Sequence, residues 1–172
     1  YEGLKFEVMQ TFAMEVPFSE EQFRNTRGNQ LSEQLAEAVM ESFKRRMDKL
    51  AIVANPVIQR VYMDKGQMYE NILVPISDGQ RVYNIAVNLK KAAETDSKEV
   101  IREFEKRMLL YVIDDEWKEH LRRLDDLKQS VQNASYEQKD PLLIYKIESF
   151  NIFKEMLDAL NRRAISILLR GQ

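Results

Sequence analysis

The residues best suited to catalysis or metal binding lie around a single histidine. His120 is the only histidine of the chain, and Glu116 and Glu119 precede it closely. On a helix, the spacing of Glu116 and His120 places a carboxylate and an imidazole on one face, where they could transfer a proton or begin a metal site. A metal site needs further ligands, and the chain has no cysteine. We therefore interpret His120 as a packed or hydrogen-bonded structural residue, and we predict no catalytic residue and no metal ligand.

Phosphate-binding loops are not found in the sequence either. The chain has five glycines, and none of them belongs to a G-x-x-x-x-G-K-[ST] motif or to a dinucleotide fingerprint. A Ser-His-Asp arrangement built on His120 is disfavoured because its members would lie on regular helices, without a strained nucleophile turn. We predict no cofactor in these residues.

Composition limits the class of protein. The chain has 172 residues, of which 44% are hydrophobic, and a formal net charge of −2. This favours a soluble globular protein with one domain or two small ones, and it argues against a dedicated nucleic-acid binder. No apolar run reaches the roughly 18 residues of a membrane-spanning helix. Because the chain begins with Tyr1 rather than Met, we expect it to be a segment of a longer protein.

The elements that would position His120 are two long amphipathic helices. Apolar residues recur at intervals of three or four along both, which predicts an antiparallel helical hairpin with its tip at residues 133–140. Within this seam we assign structural roles to Trp117, His120, Leu121, Leu124, Phe150 and Phe153, with Trp117 as a core residue. The first seam comprises Leu110, Ile113, Trp117, Leu121, Leu124, Leu127 and Val131, and the second comprises Leu143, Ile147, Phe150, Phe153, Leu157, Leu160, Ala164 and Leu168.

Capping signals fix where the two helices begin. Asp96 and Glu99 have the spacing of a capping box and predict a start near Ser97, and Asp140 precedes Pro141 at the first position of the return helix. The helices would be on the order of 55 and 43 Å long. We predict two domains, residues 1–96 and 97–172.

The first 96 residues combine helical and strand patterns. Ser19 and Gln22 form a second capping box, flanked by a hydrophobic staple, and residues 31–50 predict an amphipathic helix. Pro56 predicts the end of that helix.

Alternating residues then predict an antiparallel β-meander over about 57–89, with strands at 57–63, 72–76 and 83–89. A turn at Asp78-Gly79 would pair Val74 with Tyr83 and Ile72 with Ile85. The predicted fold class is mainly α, a long helical hairpin with a wing that carries this meander.

From about Val100 onward, the sequence resembles the C-terminal helical scaffold of SecA, the bacterial preprotein translocase motor. Residues 1–50 more loosely resemble the neighbouring helical wing domain, and the strands at 57–89 resemble a lineage-specific insertion. The matching positions are Phe104-Glu105-Lys106, Asp114, Trp117-Lys118-Glu119-His120-Leu121, Leu124-Asp125, Leu127, Gln129, Tyr136, Gln138-Lys139-Asp140-Pro141, Tyr145-Lys146, Glu148-Ser149-Phe150, Phe153 and Met156-Leu157.

The resemblance implies a function that composition does not supply. In SecA the hairpin is a two-helix finger, whose tip contacts the secretory preprotein and the Sec translocon channel. By position, the contact residues would be Tyr136, Gln138 and Lys139. Two departures are Asn133-Ala134-Ser135, where the family has Leu-Arg-Gly, and Ile144, where it has an acidic residue.

The resemblance also implies partners and a location. ATP and Mg would bind to motor domains of the same chain outside these residues, so the segment alone would not be an enzyme. The location would be cytoplasmic and peripheral to the inner membrane. Two alternatives remain open: a free-standing helical adaptor that binds a partner protein, and a metal-dependent helical enzyme.

Overall fold

The computed structural model describes residues 1–134 and 140–171, without the side chains of residues 132–134. These residues form six α-helices and one two-stranded antiparallel sheet, which confirms the mainly α fold class. The elements are α1 (Glu2–Phe12), α2 (Glu20–Asn25), α3 (Gly28–Lys65), β1 (Asn71–Ser77), β2 (Val82–Asn88), α4 (Leu89–Glu94), α5 (Lys98–Ala134) and α6 (Pro141–Arg170).

The chain divides into two compact units. The first unit comprises Tyr1–Met108 and Ile165–Gln172, and the second comprises Leu109–Ala164. The predicted boundary between residues 96 and 97 separates a wing domain from a scaffold segment. These compact units do not test that boundary, so it stays a prediction.

The start of α2 has the predicted capping box. The Ser19 hydroxyl accepts from the Gln22 N–H at 3.2 Å, and the Gln22 side chain accepts from the Ser19 N–H at 2.8 Å. The rings of Phe18 and Phe23 stack at 6.4 Å and form the hydrophobic staple. Residues close in sequence therefore satisfy two N–H groups at the helix start, those of Ser19 and Gln22.

Helix α3 does not end at Pro56, so the predicted strand at residues 57–63 is wrong. The helix continues to Lys65, with Pro56 in its interior. A proline removes the hydrogen bond to the carbonyl four residues before it, here that of Ile52. Ile52 and Pro56 are exposed, so water can reach that carbonyl. Met47, Ala51 and Ile58 are buried at helical spacing across the proline, and this packing favours the continuous helix.

Strands β1 and β2 form a hairpin rather than part of a three-stranded meander. Val74 pairs with Ile85 and Ile72 pairs with Val87, so the predicted register is wrong by two residues. The cause is the turn, which is centred on Gly79 and Gln80; Gly79 has a φ of 89°. The Asp78 carboxylate accepts from the N–H groups of Gln80 at 2.8 Å and Arg81 at 2.7 Å. Because the shift is an even number of residues, the apolar rows still share one face.

The connection from α4 to α5 differs from the predicted capping box. Asp96 and Ser97 have φ values of 50° and 66°, so Asp96 does not cap the helix. The Thr95 hydroxyl instead accepts from the Glu99 N–H at 3.1 Å. Ser97 is buried, and its hydroxyl donates to Asn55 of α3 at 3.2 Å. The turn is therefore fixed by contacts with α3 that lie far away in sequence.

An apolar core holds the first unit together. Phe104 is fully buried, and a Cβ on Gly171 would lie 2.6 Å from its ring, so only glycine fits there. The guanidinium of Arg46 donates to the backbone carbonyls of Ala13 and Leu169, which ties α3 to the chain beyond α1 and to α6. The fully buried side chains include Val8, Ile76, Ile85, Val87, Leu89, Val100, Phe104 and Leu169.

Candidate functional site

The candidate site is the helical hairpin of the second unit, formed by the parts of α5 and α6 between Leu109 and Ala164. The predicted contact residues Tyr136, Gln138 and Lys139 lie outside the described residues. The return helix begins at Pro141, and the Asp140 carboxylate accepts from the N–H of Leu142 at 3.0 Å. Asp140 thus occupies the capping position that the sequence indicates, and the proline lies where its missing N–H is harmless.

Ion pairs between the helices set their register. Arg163 of α6 contacts Glu116 of α5 at 2.9 Å, and Arg123 of α5 contacts Glu155 of α6 at 2.6 Å. From the second pair to the first, residue numbers fall along α5, from Arg123 to Glu116, and rise along α6, from Glu155 to Arg163. About two turns separate the pairs on each helix, so the arms run antiparallel.

Arg163 is the centre of a polar cluster. Its guanidinium also bonds to Asp115 and lies 5.3 Å from the ring centre of Tyr111, a cation–π distance. Burial disfavours the charged form of Arg163, but hydrogen bonds to Glu116 and Asp115 outweigh this effect and raise its pKa. Sequence analysis missed this cluster. The signal for it was an arginine on α6 opposite the acidic pair on α5, and it becomes visible only once the register is known.

His120 lies in an aromatic cluster. It is only 5% exposed, and its ring centre is 5.3 Å from that of Trp117 and 5.7 Å from that of Phe153. Its Nδ1 atom has no hydrogen-bond partner within residues 1–134 and 140–171. Across those same residues, no group of three histidine or acidic side chains could hold a metal ion. Packing is therefore the role that the described contacts give His120.

The predicted seam is displaced from the buried face of the hairpin. Trp117 is 47% exposed and Phe150 is 59% exposed, so the interpretation of Trp117 as a core residue is wrong. Leu121 and Phe153 are also exposed, and Leu124 is half-buried. The buried residues Val112, His120 and Met156 lie about one position away from the seam, whereas Val131 and Ala164 are seam residues that are buried.

The displacement has a physical cause. Glu116 and Arg163 lie beside the buried positions and satisfy each other there. A pattern read only from apolar residues skips these positions and selects the adjacent stripe. The hairpin thus carries an exposed apolar face on each of its helices, and exposed apolar surface is typical of protein contact sites. Its members are Leu110, Ile113, Trp117 and Leu121 of α5 and Leu143, Ile147, Phe150, Phe153 and Leu157 of α6.

Comparison with known proteins decides the family. The sequence model described as "SecA Wing and Scaffold domain" matches residues 1–172. This chain belongs to that SecA family. Relatives named "Protein translocase subunit SecA" share 59% identity in Bacteroides thetaiotaomicron, 57% in Phocaeicola vulgatus and 42% in Christiangramia forsetii. Each alignment covers 100% of this chain.

The family assignment covers one part of a longer architecture. The chain spans about 16% of the length of the SecA relatives from B. thetaiotaomicron and P. vulgatus, and about 15% of the one from C. forsetii. The relatives also match across residues 57–89, the stretch that the resemblance marks as an insertion. None of the helices in the described ranges is both long enough and apolar enough to cross a membrane.

Proposed function

We propose that this chain is the wing and two-helix finger of a SecA translocation motor. ATP hydrolysis with Mg in motor domains elsewhere in the same protein would move the finger, and the finger would move unfolded preprotein into the Sec channel. In this role the segment is not an enzyme by itself. The observation that carries the proposal is the family match over the whole chain, together with relatives named as translocase subunits.

The hairpin suits the transmission of movement. Two long antiparallel helices joined by ion pairs resist sliding, because displacement along the axis would break Arg163 from Glu116 and Arg123 from Glu155. Asp140 and Pro141 fix the first turn of the return helix next to the tip. A displacement at the base of such a hairpin would therefore be transmitted to its tip.

The proposed contact residues are Tyr136, Gln138 and Lys139. A tyrosine can pack its ring against apolar side chains of any sequence while its hydroxyl bonds to backbone, which suits an unfolded chain of variable composition. Gln138 and Lys139 would add hydrogen bonds. The protein would work in the cytoplasm, peripherally associated with the inner membrane when bound to the channel.

Substitution of Tyr136 in the full-length protein tests this proposal. We expect Tyr136→Ala to reduce ATP-dependent transport of a preprotein into inverted membrane vesicles by about tenfold, equivalent to about 1.4 kcal/mol. Tyr136→Phe should keep most of the activity if the ring makes the contact. ATP hydrolysis without preprotein and vesicles should be unchanged, because the substitution lies outside the motor domains.

Phe6→Ala is a matched control, since Phe6 is an aromatic residue of α1 that is 69% exposed. It should leave transport unchanged. Normal transport by Tyr136→Ala, or an equal loss in Phe6→Ala, would refute the assignment of the tip contact.

A further inference from the structure

A groove in the first unit separates the second half of α3 from β1. Its volume is about 1320 Å³, larger than the roughly 300–1,000 Å³ typical of pockets for small molecules. Leu50, Ile58 and Val61 of α3 and Ile72 and Val74 of β1 line it with apolar side chains. The size and the lining suit a segment of polypeptide.

One wall of the groove remains exposed. Val53 and Val57 of α3 line it and are 66% and 63% exposed. These residues lie one helical turn apart, so they form a short apolar ridge. Covering the ridge would remove two β-branched side chains from water, which favours an occupant with apolar residues.

The edge of β1 offers unpaired backbone groups beside the groove. In the described part of the chain, β1 pairs only with β2. Hydrogen bonds from Leu89 N–H to Glu70 O at 2.9 Å and from Asp78 N–H to Arg81 O at 3.1 Å mark the bonded pairs at both ends of the ladder. Bonded and non-bonded pairs alternate in an antiparallel ladder.

This alternation directs the backbone groups of Asn71, Leu73 and Pro75 away from β2. A proline is tolerated at Pro75 because this position donates no hydrogen bond to β2, and a proline has no N–H to donate. The N–H groups of Asn71 and Leu73 and the carbonyls of Asn71, Leu73 and Pro75 are therefore available to another strand. Recognition by strand addition uses such an edge.

Basic residues surround the groove. The lining includes five of them, Arg46, Lys49, Arg60, Lys65 and Arg170, but Asp64 is its one acidic residue. Arg46 and Arg170 donate to backbone carbonyls, which leaves their charges uncompensated. No carboxylate of residues 1–134 and 140–171 forms an ion pair with Lys49, Arg60 or Lys65. The positive potential favours an acidic occupant.

We propose that this groove binds an extended segment of another polypeptide, with apolar residues at its centre and acidic residues at both ends, as a third strand on β1. The apolar side chains contact the groove wall at Val53 and Val57. The acidic side chains flank them and face Lys49 and Arg60, which precede and follow the two valines on the same face of α3. An anionic membrane would use the charge but neither the concave shape nor the strand edge, so the geometry favours a peptide. The inference is independent of the proposed finger function.

Binding of a designed peptide to the full-length protein tests the inference. The probe is a fluorescent peptide of about eight residues, the length of an ordinary strand, with a central run of Val and Glu at both ends. We expect saturable binding by fluorescence anisotropy, and none for a peptide in which Lys replaces Glu. The combined substitution of Lys49→Glu and Arg60→Glu should weaken binding at least tenfold.

Matched variants separate the groove from the rest of α3. Lys44→Glu with Arg45→Glu makes the same charge change at exposed positions outside the groove and should leave binding unchanged. Val57→Asp should abolish binding, whereas Met40→Asp, at a position of α3 that is 66% exposed, should not. Hydrogen exchange should show that the peptide slows the amides of Asn71 and Leu73.

Three outcomes would overturn the inference. The first is no saturable binding to the unsubstituted protein. The second is equal binding by the groove variants and their matched controls. The third is binding of anionic lipid vesicles that depends on Lys49 and Arg60 when peptide binding does not.

Discussion

The two units place apolar and polar residues in opposite ways. In the first unit, apolar residues such as Val100 and Phe104 are fully buried. In the second, Glu116 and Arg163 pair across the hairpin while Trp117 and Phe150 are exposed. Apolar spacing therefore identifies a helix in both units, but it identifies the buried face only where no polar pair occupies that face.

Truncation of Phe104 has the largest expected effect. Phe104→Ala removes a ring that is fully buried and touches Gly171, so the free energy of unfolding should fall by about 3–5 kcal/mol. Urea denaturation of the 172-residue chain measures this loss.

Trp117→Ala provides the comparison for Phe104→Ala. Because Trp117 is 47% exposed, its truncation should cost about 1–2 kcal/mol, clearly less than that of Phe104 despite the larger side chain. Equal losses for the two variants would remove the distinction between the units.

Loss of the Arg163 cluster should have an intermediate effect. Arg163→Met keeps the aliphatic part of the side chain but leaves the partly buried carboxylate of Glu116 without its partner. We expect the free energy of unfolding to fall by about 1–2 kcal/mol. The effect should shrink at high salt, because screening also weakens the original pair.

Arg122→Met is the matched control for Arg163→Met. Arg122 pairs with Glu119 on the same helix, at 2.6 Å, and both side chains are well exposed. An exposed pair of this kind contributes about 0.2–0.5 kcal/mol. If the two variants were equally stable, the polar cluster would not hold the hairpin together.

Local sequence predicted those features that local contacts determine. The Ser19 capping box, the start of α6 after Asp140 and the strands near Ile72 and Ile85 depend on residues close in sequence. These are the cases in which backbone groups are satisfied by their immediate neighbours.

Distant contacts caused two of the predictions that are wrong, whereas the wrong register of the β1–β2 hairpin has a local cause, the turn at Gly79 and Gln80. Pro56 remains helical because Met47, Ala51 and Ile58 pack as one face, and Asp96 loses its capping role because Ser97 is buried against Asn55. The candidate site follows the same rule. The helical spacing of apolar residues predicted the hairpin. Its buried face, however, depends on the pairing of Glu116 with Arg163, which lie far apart in the chain.

Asp78 tests whether a polar group of the first unit stabilises it. Burial alone would raise the pKa of its carboxyl, but hydrogen bonds from the N–H groups of Arg81 and Gln80 and from the Tyr83 hydroxyl outweigh burial and lower it. A carboxyl whose pKa is lower in the folded state stabilises that state above its unfolded pKa. This contribution is lost as the pH falls through the folded pKa. The β1–β2 hairpin should therefore open more readily in acid.

Asp78→Asn is the reference for this prediction, since its amide oxygen can still accept from the two N–H groups but has no charge to lose. We expect hydrogen exchange of the β1 and β2 amides to be slower in the unsubstituted protein than in Asp78→Asn at neutral pH, by a factor of about five, or about 1 kcal/mol. The difference should vanish in acid. Comparing the two proteins at each pH cancels the pH dependence of intrinsic exchange, so a constant ratio would mean that the Asp78 charge does not stabilise the turn.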